Sequence, residues 1–166
     1  SLKLSEETKN YAQVILVLNN LANFFISKRE IQQAKSLIEK ALLLSEKNRL
    51  MRMKPLLQAS LGLCLYEEGD YIYAEAAYLD SYQTLLTQDE ATAAKLQACL
   101  GQTVAAQGKI EKARTLLQHA LQTSHELEYT TGMLSAVVRF AEILARENDP
   151  SAKDLAALVY HHPHTE

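Results

Sequence analysis

Three histidines, His161, His162 and His164, stand close together near the end of this sequence, and imidazoles so spaced can ligate a transition metal when their segment is ordered. No cysteine or carboxylate pattern accompanies them, and a frayed tail accounts for them more simply. His119 and His125 lie most of two helical turns apart and also lack matching ligands, so both read as surface or groove residues. Cys64 and Cys99 fall in apolar segments without CxxC or Cys/His spacing, the pattern of buried reduced thiols. The acid pairs Glu67-Glu68 and Asp89-Glu90 sit at expected helix ends, where carboxylates are solvated and interact with helix dipoles. GxxxxGK[ST], GxGxxG and HExxH are all absent. The expectation is therefore a protein that is not an enzyme, with no catalytic residue, no cofactor and no metal.

Tyrosine is the remaining chemical signal. Tyr66, Tyr71, Tyr73, Tyr78 and Tyr82 crowd one region. Tyr71, Tyr78 and Tyr82 share a helix face and read as packing residues. Tyr66 and Tyr73 fit that face less well and suit a contact surface, because tyrosine combines a large apolar area with a hydroxyl.

The elements that must position these residues are helices. Only three prolines and five glycines occur among 166 residues, and Leu, Ala, Glu, Gln and Lys dominate, so the fold class is all-α. The 48% apolar and 22% charged content is that of a globular domain. A net charge of −3, with 17 basic residues scattered among 20 acidic ones, argues against direct nucleic-acid binding. No apolar run approaches the roughly 18 residues that span a bilayer, and the opening SLKLSEETKN lacks the pattern of an export signal. No membrane partner and a cytoplasmic location are expected. The opening serine and the abrupt end at HHPHTE suggest a segment of a longer polypeptide.

A repeat organises the helices. LANFFISKREIQQAKSLIEKAL from Leu21, LGLCLYEEGDYIYAEAAYLDSY from Leu61 and LGQTVAAQGKIEKARTLLQHAL from Leu100 align at offsets of 40 and 39 residues. Each carries a large-small pair, Leu21-Ala22, Leu61-Gly62 or Leu100-Gly101, followed by Phe25, Leu65 or Val104. A polar break comes next: Arg29-Glu30, Gly69-Asp70 or Gly108-Lys109. Glycine tolerates positive φ, so the break reads as a tight turn between two helices. The pattern restarts at Ile31, Tyr71 and Ile110, with small residues at Ala34, Ala74 and Ala113, then Ile38, Tyr78 and Leu117, then Ala41, Ser81 and Ala120. Small residues are required where helix backbones approach closely, and the large ones fill the space beside that contact. A fourth unit starts near Glu128, with Phe140-Ala141, Leu144 and a turn at Asn148-Asp149-Pro150, where proline suits the first turn of a helix. The spacing predicts helices over 9–28, 30–47, 49–68, 70–87, 89–107, 109–126, 128–147 and 151–160. They form one domain over 1–166, with units at 9–47, 49–87, 89–126 and 128–160.

This alternation of large and small positions resembles the tetratricopeptide repeat family over nearly the whole chain. The unit is longer than the family's usual 34 residues or so, and the aromatic that often opens the first helix is missing. Long units of this kind resemble the C-terminal sensor arrays of large bacterial signalling NTPases and transcriptional regulators. The resemblance implies a right-handed superhelical solenoid of about four helix pairs, with first helices lining a concave groove. It places Asn19, Asn23 and Ser27 in the groove from the first unit, and Ala59, Leu63, Tyr66 and Glu67 from the second. The third contributes Lys95, Ala98, Gln102 and Ala106, and the fourth Ser135, Glu142 and Arg146. Asn19 and Asn23, one turn apart, could pair with the N–H and C=O of an extended peptide. The basic cluster with which some members clamp a terminal carboxylate is not reproduced, since Lys95 stands alone. The implied function is a protein- or peptide-binding scaffold in a multidomain regulator, working by population shift. The alternative is an adaptor that self-associates through its terminal repeats, around Leu155, Leu158 and Val159.

Overall fold

A computed structural model describes residues 2–160, with side chains described over 10–157. Eight α-helices occupy them: α1 (Leu2–Ser27), α2 (Ile31–Lys47), α3 (Lys54–Glu67), α4 (Tyr71–Leu85), α5 (Glu90–Ala106), α6 (Ile110–Glu126), α7 (Thr130–Arg146) and α8 (Ser151–Tyr160). A single 3-10 turn, Met51–Met53, leads into α3, and no strand occurs among the described residues. The fold class is all-α, and successive helices pack on one another within each unit. Two starts differ from the spacing. Helix α1 begins at Leu2 and not near residue 9, and α3 begins at Lys54 and not near 49. Pro55, in the first turn of α3, explains the second difference, because its ring forbids an α-helical hydrogen bond and favours a helix start there.

The turns share one device. In six connections a residue at positive φ reverses the chain: Arg29 (61°), Arg49 (56°), Gly69 (83°), Gly108 (81°), Glu128 (53°) and Asn148 (57°). The residue after each donates its N–H back to the last helical turn, as in Glu30 to Phe25 (2.9 Å), Asp70 to Leu65 (2.9 Å) and Tyr129 to Ser124 (2.8 Å). These are Schellman closures, which satisfy carbonyls left over at a helix end. The α4–α5 connection is different. There the Asp89 carboxylate caps α5 by accepting from the Thr92 N–H at 3.0 Å.

Contacts divide the chain into two compact units, Ser1–Ser81 and Tyr82–Glu166. The core of the first contains Ile15, Ala22, Ile26, Ala34, Ile38, Ala41, Leu57 and Cys64. That of the second contains Ala98, Val104, Ala105, Ala113, Leu117, Ala120, Ala136 and Ile143. Alanine abounds in both because the helices touch through their small residues. The large-small pairing takes physical form at Gly62, where an added Cβ would lie 2.9 Å from the Tyr78 ring. At Gly101 it would lie 2.8 Å from Leu117 Cγ.

Candidate functional site

In the second unit, α5 and α7 lie side by side and share a polar cluster centred on Arg139. Its Nη1 donates to the Ser135 carbonyl (3.0 Å) and hydroxyl (2.7 Å), and its Nε to Gln102 Oε1 at 3.1 Å. Its Nη2 reaches Cys99 Sγ at 3.4 Å. Gln102 in turn donates through Nε2 to Glu142 Oε2 at 2.7 Å. The fold thus brings together Gln102, Ser135 and Glu142 from the expected groove. Lys95, Glu142 and Arg146 are exposed and Gln102 is half-buried. Each donor and acceptor in the cluster holds the next in place.

The first unit is arranged differently. Asn19 is only 2% exposed, and its Oδ1 accepts from Ser60 Oγ at 2.8 Å. The expectation that Asn19 faces an open groove is corrected, because α3 packs over it and a buried amide must be satisfied internally. Asn23 and Glu67 are exposed. Tyr66 is half-buried against Tyr71, with ring centroids 5.4 Å apart. Tyr78 packs against Gly62, whereas Tyr73 is 66% exposed.

Arg139 and Ser60 were not among the expected site residues. A signal for them exists in the repeat: Ser60, Cys99 and Arg139 each stand immediately before a large-small pair. All three make polar contacts from one first helix to the next. A second recurrence is charged. Glu68 accepts from Gln32 Nε2 at 2.7 Å and Lys35 Nζ at 3.0 Å, and Glu147 accepts from Arg114 at the same places of the repeat in the second unit. The Glu68 contact raises the Lys35 pKa above its ordinary value. Glu68 is therefore a bridging residue and not merely a solvated helix end.

The titrations follow from these surroundings. Burial, with Glu68 nearby, pushes the Cys64 thiol up to about 11. Hydrogen bonds from the hydroxyl and N–H of Thr92 hold Asp89 below the usual carboxylate range, and those from Ser151 do the same for Asp149. His125 lies in a shallow, mostly apolar hollow with Gln118, Leu121, Gln122 and Met133. No group of three His, Cys, Asp or Glu residues fit to hold a metal occurs among the described residues. His161, His162 and His164, and the side chains of Leu158 and Val159, lie outside them. No helix among the described residues is long and apolar enough to cross a membrane.

No protein-family model, curated protein or solved structure matches this chain.

Proposed function

We propose that the chain is a protein- or peptide-binding scaffold whose helix pairs stack as a right-handed tetratricopeptide-like superhelix, with the first helices lining a concave groove. The array serves as the interaction part of a larger regulator. The observation that carries this reading is the α5–α7 cluster, in which Arg139 and Gln102 join the side chains of adjacent first helices. Its guanidinium, amide and carboxylate groups are the donors and acceptors that read an extended backbone and its polar side chains. Exposed Lys95 and Arg146 beside them favour a peptide carrying acidic residues.

Selection of displayed random peptides on the whole chain, followed by calorimetry of those enriched, tests this. Gln102→Ala and Arg146→Ala are each expected to weaken binding about tenfold, the equivalent of one charged or paired hydrogen bond. Peptides whose affinity ignores both substitutions would overturn the groove assignment.

A further inference from the structure

We infer that the turn between α2 and α3 is a docking surface for an anionic membrane face, which it meets with four cations set around an exposed methionine. Lys47, Arg49, Arg52 and Lys54 fall within eight residues, and no acid occurs between Lys47 and Tyr66. The turns at Glu30, Asp70, Glu128 and Asp149, by contrast, each carry an acid. Cations elsewhere are matched, Lys35 by Glu68 and Arg114 by Glu147. None of the four at this turn has an ion-pair partner among the described residues. Glu46 adjoins them, and four basic residues against that one acid leave +3 over residues 46–54. The chain as a whole carries −3, but charges beyond a Debye length of about 8 Å are largely screened at physiological salt.

Apolar side chains stand exposed among these cations. Met51 is 54% exposed in the turn itself, and Leu56 is 39% exposed in the first turn of α3. Leu43, 68% exposed, lies one helical turn before Lys47 on the same face of α2. The backbone beneath them is braced. Ser45 Oγ donates to the Leu50 carbonyl at 2.7 Å, and the Leu50 N–H donates to the Ser45 carbonyl at 2.8 Å. Asn48 Nδ2 donates to the Leu44 carbonyl at 2.8 Å, and the Met53 N–H to the Leu50 carbonyl at 2.9 Å. The turn is thus fixed before a partner arrives, and docking orders side chains alone.

Shape and chemistry together select the partner. An extended peptide needs a sheet edge or a groove to lie in, whereas a turn between two helix ends presents its side chains outward. A lipid surface requires only that cations reach its phosphates while apolar side chains enter the layer below. Lysine and arginine suit that division, since their alkyl stems run along apolar surface and their charged heads reach away from it. Nucleic acid would engage the cations alone, and a single strand would add aromatic platforms for its bases. Between Phe25 and Tyr66 the chain has no aromatic residue, while Leu43, Met51 and Leu56 stand exposed with the cations. The expectation of no membrane partner rested on the lack of a spanning run, which a contact at the lipid surface does not need.

Flotation of the whole chain with lipid vesicles tests this. Vesicles of equal parts phosphatidylcholine and phosphatidylglycerol should carry the chain upward, and vesicles of phosphatidylcholine alone should not. Each cation near an anionic surface contributes about fivefold to partitioning, so Arg49→Gly combined with Arg52→Gln should weaken binding ~25-fold. Arg49 sits at positive φ, where glycine fits without strain, so helical circular dichroism should be unchanged. Met51→Ser should weaken binding about tenfold. Lys153→Gln, which removes an exposed charge from α8, should leave it unaltered. A chain that ignores anionic vesicles overturns the proposal, as does binding indifferent to the double substitution or to Met51→Ser. Equal weakening by Lys153→Gln overturns it by showing that net charge and not this turn is felt. Binding of single-stranded RNA or polyglutamate without vesicle binding overturns it as well, and assigns the cations to a partner of that class.

Discussion

Replacing Gly101 with alanine sets two known effects against each other. In the interior of α5 the change gains about 1 kcal/mol of helix propensity, because alanine surrenders less backbone freedom than glycine. Against it stands the close approach of α6. The new Cβ would lie 2.8 Å from Leu117 Cγ, 3.1 Å from Cδ2 and 3.3 Å from the Ala113 carbonyl oxygen. Leu117 cannot swing clear, being 0% exposed between Ala113 and Ala120, which are equally buried. Overpacking at a rigid site costs about 1–3 kcal/mol, so Gly101→Ala is expected to destabilise the chain by a net ~1 kcal/mol. The clash belongs to one side chain, and a double-mutant cycle isolates it. Leu117→Ala alone costs about 2–5 kcal/mol through its cavity. In that background the alanine methyl enters space left by leucine, and Gly101→Ala should become neutral or stabilising. The coupling is then roughly 1–3 kcal/mol, readable from urea unfolding midpoints at constant slope. A stabilising Gly101→Ala in the otherwise unaltered chain, or zero coupling with Leu117→Ala, would refute the view that the small position exists for helix contact.

Three further outcomes follow from the turns and the titrating groups. Glu128→Gly should stabilise the chain by about 0.5–1 kcal/mol in the same unfolding assay, because Glu128 occupies φ 53° where only glycine is unstrained; a loss of stability would contradict this account of the turn. Asp89→Ala should cost about 1 kcal/mol at neutral pH through the lost cap of α5. Since the folded pKa of Asp89 is lowered, its contribution is complete above the ordinary carboxylate pKa of about 3.9 and fades as pH falls through the lower folded value. Stability curves of the two chains should accordingly converge in strong acid, and a constant gap would argue against the cap. Finally, with Cys64 buried and pushed up to about 11, a thiol reagent at about pH 8 should label Cys99 well before Cys64 in the folded chain and both alike in urea. Mass spectrometry of the labelled peptides reads the order, and equal rates in the folded chain would count against burial of Cys64.

The helices were legible because they rest on local and periodic information. The large-small pairs at Leu61-Gly62 and Leu100-Gly101 marked the contacts that Tyr78 and Leu117 make. Gly69 and Gly108 announced their turns by residue type. Arg29, Arg49 and Glu128 did not, since arginine and glutamate have no special liking for positive φ. The repeat alignment located the break at Arg29-Glu30, whereas Arg49 and Glu128, expected to open the helices over 49–68 and 128–147, lie in the turns before them. The start of α1 was missed for a related reason: seven residues before the repeat carry helical propensity without the repeat's own pattern.

The site was less legible, because a repeat specifies which positions neighbours cover and says nothing of what a polar residue there will bond to. Asn19 and Asn23 look equivalent in sequence, one turn apart on α1. The hydroxyl of Ser60, remote in the chain, takes up the amide oxygen of Asn19 and leaves Asn23 in solvent. Gln102 and Glu142 stand at the same place of successive first helices, and there the correspondence does bring two side chains into contact. The repeat is equally silent about exposure at Val17 and Phe24, which are 63% and 53% exposed although their counterparts in every later repeat are buried.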